Sequence, residues 1–216
     1  PLIPVNHLIG HFYANWVQDA TSDVKSRSST RPHIGSETRV PKFPCIGLLV
    51  SGGHTDLVLF TDHGKHEYLG GTRDDAAGEC FDKCARLLGL PYPGGPEISI
   101  LAANGKDIYK LPRPMIDSDD FDFSFSGLKT AVANLVRAKG GSDLPNLAAS
   151  IEAAIVDVLV SKTIAAAQKY KVEQIMVAGG VAANQRLFKN LKFEIGNWKL
   201  KTKLFVPPPA LCTDNA

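Results

Sequence analysis

His7 and His11 are four residues apart, a spacing that on a helix places both imidazoles on one face about one turn apart, where they can share a metal ion. Two surface histidines are the plainer reading of the same pair. A zinc protease of the H-E-x-x-H type needs a glutamate directly after the first histidine, and Leu8 stands there, which disfavours peptide hydrolysis by that route. A carboxylate from elsewhere in the chain would complete a two-histidine, one-carboxylate face suited to Fe(II). Ser51-Gly52-Gly53 and Gly179-Gly180 are the second feature with chemical content. A glycine pair at a strand end lets backbone N–H groups approach a phosphate that a Cβ would exclude, and at a helix N-terminus the dipole adds to the attraction. Each pair alone is also an ordinary tight turn. No residue is an obvious covalent nucleophile.

These residues need elements to hold them. Val5 to Val17 can form a short helix that carries both histidines. Ile46–Val50, Thr55–Phe60 and Glu67–Gly70 read as an antiparallel meander whose first connection is the Ser51–His54 turn. Asp74 to Gly89 repeats apolar residues at helical spacing, with Asp74 available as N-cap and Gly89 as C-cap. Glu97 to Asn104, a segment marked by Leu128, Val132, Leu135 and Val136, and the long run from Leu147 to Tyr170 are further helices. Gln174–Ala178 is a buried-type strand that passes through Gly179-Gly180 into a helix from Val181 to Leu191, and Lys203–Val206 is a last strand. Two glycine turns in one chain, one between strands and one from strand to helix, match the device by which actin, hexokinase and the heat-shock ATPases clamp a nucleotide. Asp19 to Pro44 lacks periodicity and reads as an exposed, mobile excursion.

The 216 residues are 44% hydrophobic and 21% charged, with 24 Lys plus Arg against 22 Asp plus Glu. That balance excludes wholesale disorder, and the net charge of +2 gives no general affinity for nucleic acid, so such contacts would need local basic segments. The Lys192, Lys199, Lys201 and Lys203 cluster is either such a segment or a solvated face. Cys45, Cys80, Cys84 and Cys212 form no C-x-x-C pair, which disfavours a structural zinc site and points to a reducing compartment. No apolar run approaches the length of a membrane helix, so a soluble protein is expected. The start at Pro1 and the end at Ala216 read as those of a fragment.

His7-Leu-Ile-Gly-His11, Leu49-Val-Ser-Gly-Gly-His54, Asp74-Asp-Ala-Ala-Gly-Glu79, Phe81-Asp82-Lys83, Tyr92-Pro-Gly-Gly-Pro96, Phe123-Ser-Phe-Ser-Gly-Leu-Lys129, Gly179-Gly-Val-Ala-Ala-Asn184 and Cys212-Thr-Asp-Asn-Ala216 occur in this order. Together they resemble the tRNA N6-adenosine threonylcarbamoyltransferase family, TsaD in bacteria, once labelled glycoproteases. The stretch from Asp19 to Pro44 is longer than the family's usual one.

The resemblance implies an α/β, two-lobed fold of the actin, hexokinase and heat-shock ATPase type, built on ribonuclease H-like repeats and lacking its N-terminal strands and C-terminal helix. Residues 1–44 would be part of the N-terminal lobe and 45–216 the main lobe. It implies transfer of a threonylcarbamoyl group from threonylcarbamoyl-AMP to N6 of the adenosine after the tRNA anticodon, with release of AMP. His7, His11 and Asp214 would hold one divalent metal, Fe(2+) or else Zn(2+). Leu49, Val50, Ser51, Gly52, Gly53, Asp82, Gly95 and Asn184 would contact the adenylate, and Ser99 stands where many relatives have an aspartate. Implied partners are tRNA, a paralogue of the same fold and a small ATPase, in the cytoplasm or, for an organellar homologue, the mitochondrial matrix. The rivals are an ATP-dependent kinase or phosphatase on the same fold and a silent, partner-binding paralogue.

Overall fold

The structure is a computed structural model that describes residues 6–17, 40–139, 143–199, 201–208 and 211–212. Most of the polar excursion expected over 19–44 therefore lies outside the described residues, as does Asp214.

Chain order is α1 (His7–Tyr13), a 3-10 turn (Ala14–Trp16), β1 (Cys45–Val50), β2 (Thr55–Asp62), β3 (Lys65–Gly71), α2 (Ala77–Leu87), α3 (Gly94–Ala102), α4 (Ser126–Lys139), α5 (Leu144–Tyr170), β4 (Gln174–Ala178), a second 3-10 turn (Gly180–Ala183), α6 (Gln185–Asn197) and β5 (Lys203–Phe205). The strands form one mixed sheet in the order β3-β2-β1-β4-β5. The expected meander is present, with Val50 paired to Thr55 across the β1–β2 turn. Its first strand then pairs in parallel with β4, Leu49 opposite Ala178, and β4 pairs in parallel with β5.

Alternation along β1 sorts its side chains between two cores. Ile46, Leu48 and Val50 join a large core with Phe81, Leu128, Ile151 and Leu159 from the helices and with Phe123 and Phe125 from the segment that leads into α4. Cys45 and Leu49 face the other way and pack with Phe12, Phe60, Met176 and Ala178. Gly47 makes room for α1 on that second face, because a Cβ there would lie 2.5 Å from Cε1 of Phe12. Helix α1 is thus seated by Phe12, and its first turn is capped by Asn6 Oδ1, which accepts from the N–H groups of Leu8 and Ile9 at 3.0 and 3.2 Å.

Helix α5 packs against α3, α6 and β1, which explains why it is apolar almost all round. Its buried polar residues each have a defined bond. Lys162 Nζ donates to Ser118 O and Oγ and to Asp120 O at 3.1, 2.6 and 2.7 Å, and Glu152 accepts at the cavity described below. All four cysteines are buried thiols. Burial pushes the Cys45 thiol up to about 12, so it stays protonated and inert at neutral pH. Among the described residues no helix is long and apolar enough to cross a membrane.

Two caps differ from the sequence reading. Helix α2 begins at Ala77 with no side-chain cap, and Asp74 serves another helix instead. Its Oδ1 accepts from the N–H groups of Phe125 and Ser126 at 2.8 and 3.2 Å, and its Oδ2 accepts from the hydroxyls of Ser124 and Ser126, both at 2.6 Å. Burial opposes ionisation of Asp74, but these four bonds outweigh it and hold the carboxyl below its ordinary range. After β4 the chain does not enter an α-helix at Val181. It makes one 3-10 turn, and α6 starts only after Asn184, whose Oδ1 accepts from Leu187 N at 2.8 Å.

Candidate functional site

Because β1 and β4 are parallel neighbours, their C-terminal ends come out side by side, and each carries one of the glycine turns. The turns are therefore adjacent on one sheet, not on opposite sides of a cleft between lobes. At the end of β4, Gly179 has φ near +90°, and a Cβ on it would lie 2.3 Å from the carbonyl oxygen of Val50 at the end of β1. At the end of β1, Ser51 N donates to His54 O at 2.8 Å, while Ser51 Oγ accepts from the N–H groups of Gly53 and His54 at 3.3 and 3.1 Å. The turn is then fixed from outside by α2: Gly78 N donates to Ser51 O at 3.1 Å, and a Cβ on Gly78 would lie 2.5 Å from that oxygen. Gly52 and Gly180 differ from these two. Neither has positive φ, and a Cβ on either would meet nothing within 4 Å, so the fold itself leaves their space open.

That open space belongs to a cavity of about 1100 Å³ lined by both turns, by α2 and α3, by Glu152 of α5 and by the first two turns of α6. In sheets with parallel strands, ligands collect at such C-terminal ends, where glycine turns expose backbone N–H groups.

Of the residues singled out in the sequence, His11, Ser51, Gly52, Asp82, Gly95 and Asn184 line this cavity. Asp82 sits on α2 and accepts from Gly94 N at 2.7 Å through Oδ1, fixing the start of α3 and leaving Oδ2 for a ligand. Gly95, in the first turn of α3, has only Phe81 within reach of a Cβ, at 3.9 Å. Leu49 and Val50 are buried on opposite faces of β1, so only their main chain could meet a ligand. Gly53 is exposed at the tip of the turn and does not line the cavity. His7 is exposed on α1, its ring centroid 4.6 Å from that of His11, so the pair can offer two nitrogen donors to one ion. The chemistry of this pair fits the edge of a metal site. No third His, Cys, Asp or Glu joins it among the described residues, and Asp214 lies outside them.

Several cavity residues were not singled out by motif or spacing. Glu152, only 6% exposed in the middle of α5, accepts at Oε1 from Ser99 Oγ at 2.7 Å and from Asn184 Nδ2 at 2.8 Å. Asn184 Nδ2 also donates to Ser99 Oγ at 3.1 Å, and Arg186 NH1 stands 4.0 Å from Glu152 Oε2. Arg186 and Lys189 bring positive charge to the cavity from the first turns of α6. A carboxylate inside an otherwise apolar helical run was the available hint at position 152, since such a group is buried only when paired. Gly78 could have been found from its place at the start of α2. Lys83, next to Asp82, takes no part: it pairs with Asp75 and Glu79 at 2.7 and 2.8 Å, and those carboxylates hold its ammonium above the ordinary range.

A TsaD model, described as tRNA N6-adenosine threonylcarbamoyltransferase, matches residues 28–216. A protein of that name from Dehalococcoides mccartyi is 50% identical over 216 residues, covering all of this chain and 59% of the relative. Another, from Listeria monocytogenes, is 49% identical over 220 residues, covering all of this chain and 58% of the relative. The chain thus spans about three-fifths of the relatives it matches. Among solved structures, HypF of T. kodakarensis aligns with a TM-score of 0.56 at 14% identity, over 75% of this chain and 31% of its own. The activator of 2-hydroxyisocaproyl-CoA dehydratase from Clostridium difficile, solved with bound ADPNP, aligns with a TM-score of 0.50 at 14% identity, over 80% of this chain and 58% of its own. Those two likenesses speak to the fold, a mixed α/β sheet of the actin-like ATPase kind. The family model covers most of the chain and agrees with the ordered motifs, so this chain belongs to the TsaD family of tRNA N6-adenosine threonylcarbamoyltransferases.

Proposed function

We propose that the cavity holds the adenylate of an acyl-adenylate, and that the whole protein transfers its threonylcarbamoyl group to N6 of the adenosine after the tRNA anticodon. The observation that carries this reading is the placement of Gly52 and Gly180 side by side on the wall of one cavity, each with open space where a side chain would stand. A phosphate can approach both turns, and Arg186 and Lys189 add charge of the complementary sign. Asp82 Oδ2 is the acceptor for a sugar hydroxyl, and the amide of Asn184 is the donor beside it. In the transfer, the adenosine amine forms a bond to the carbamoyl carbon and gives up one proton to solvent, the bond from that carbon to the phosphate oxygen breaks, and AMP leaves. The turns then face the growing charge on the leaving phosphate, where fixed backbone dipoles contribute most.

His7 and His11, with Asp214, would hold an iron or zinc ion beside this cavity, and such an ion supplies Lewis acidity toward the carbamoyl carbonyl. Residues 45–216 form the main lobe in this reading, with α1 seated on its sheet by Phe12. Partner subunits, one a paralogue of this fold and one a small ATPase, belong to the same reading, as does a cytoplasmic site of action.

Titration of the full-length protein with AMP tests the reading. Saturable binding that is lost in Gly52→Val and Gly180→Val, with unfolding transitions unchanged, supports it. Undiminished binding in both variants moves the adenylate elsewhere.

A further inference from the structure

The contacts among α3, α5 and α6 at the inner wall of the cavity fix the direction of each proton there. Asn184 Oδ1 accepts from Leu187 N at 2.8 Å, so the oxygen and nitrogen ends of this amide are assigned by chemistry. Nδ2 is then the end that donates, to Glu152 Oε1 at 2.8 Å and to Ser99 Oγ at 3.1 Å. Ser99 has no acceptor on that nitrogen, so its own hydroxyl proton goes to Glu152 Oε1 at 2.7 Å. The three atoms make a nearly equilateral triangle, and the two acceptors subtend roughly 60° at Nδ2, half the angle between the two N–H bonds of an amide. Both bonds leave Nδ2 on the side that faces Ser99 and Glu152. Ser99, with its proton given to Glu152 and one lone pair taken by Asn184, can meet a ligand only as an acceptor.

We infer that Glu152 is a positioning residue that sets the ligand specificity of this wall: it holds Ser99 as an acceptor beside Asn184 as a donor, so that the wall selects a hydrogen-bond donor on the bound nucleotide. The inference rests on the adenylate reading of the cavity. Glu152 is suited to the role because it is buried, because Oε1 takes both bonds, and because Arg186 NH1, 4.0 Å from Oε2 and 3.5 Å from Ala149 O, stands by its other oxygen. Without the carboxylate, the Ser99 hydroxyl can rotate and donate, and the wall no longer distinguishes donor from acceptor. An adenylate offers donors of two kinds, the ribose hydroxyls and the N6 amine.

The test is a set of dissociation constants for the full-length protein with AMP, 2′-deoxy-AMP, 3′-deoxy-AMP and IMP, measured for the native protein and for Glu152→Ala, Glu152→Gln and Ser99→Ala. The native protein is expected to bind one of the three analogues about tenfold more weakly than AMP, the analogue identifying which donor is read. Glu152→Ala and Ser99→Ala each reduce that preference to within about threefold, and Glu152→Gln, whose amide oxygen still accepts from Ser99, retains it. If Glu152→Ala weakens AMP and the analogues by one common factor, or if Ser99→Ala keeps the preference, the inference is overturned while the adenylate reading stands. Absence of AMP binding by the native protein overturns the adenylate reading and this inference with it.

Discussion

Gly179 sits with its backbone against the carbonyl oxygen of Val50, so close that a Cβ would come within 2.3 Å of it, and it does so at φ near +90°. Gly180, the next residue, has open space instead. Adjacent glycines therefore do different work, and they separate by experiment. Gly179→Ala is expected to destabilise the protein by about 2–4 kcal/mol, because the clash is with main chain and the conformation is strained for any side chain. Gly180→Ala is expected to change stability by less than about 0.5 kcal/mol and to weaken adenylate binding. Urea unfolding and nucleotide titration of the two variants check both statements.

Asp74 joins the start of α2 to the start of α4 through four hydrogen bonds. Asp74→Ala removes a cap and is expected to cost about 1 kcal/mol. The bonds lower the folded pKa of this carboxyl below its ordinary value, so its contribution is present above about pH 4 and is lost as the pH falls through the lowered folded value. The stability difference between native and Asp74→Ala proteins should accordingly shrink on acidification below about pH 4 in a series of denaturant titrations. A difference that stays constant into strong acid would show that the carboxylate form is not what matters.

The histidine pair on α1 gives a third expectation. His7→Ala and His11→Ala are each expected to lower the iron or zinc content of the purified full-length protein, as read by elemental analysis, whereas His66→Ala on β3 leaves it unchanged. Gly47→Ala is expected to have a smaller effect of the same kind, since it displaces Phe12, the residue that seats α1 on the sheet.

Local pattern made the elements legible. The Leu147–Tyr170 run, the Ser51–His54 turn and the Gln174–Ala178 strand all fall where periodicity and glycine placed them. What spacing could not supply was any bond between distant residues. Asp74 stands next to a helix start and reads as its cap, yet its partners are Phe125 and Ser126, some fifty positions on. Asn184 reads as a residue inside a helix because the 3-10 turn before it has the same composition as an α-helix. Glu152 reads only as a charge inside an apolar helical run until α3 and α6 are brought against it. The side-by-side arrangement of the glycine turns was hidden for the same reason, since only the parallel pairing of β1 with β4 creates it. Motif order identified the family, and the cavity's inner wall had to be seen in three dimensions.

The central claim is that an acyl-adenylate is bound at the paired glycine turns and its acyl group passed to tRNA. Its most direct test is transfer of label from threonylcarbamoyl-AMP to tRNA by the full-length protein with its partner subunits, followed by nucleoside analysis. The account predicts label in N6-threonylcarbamoyladenosine, release of AMP, and loss of both in Gly180→Val. Phosphorylation of a small hydroxylated acceptor from ATP, with no modified adenosine in the tRNA digest, would contradict it.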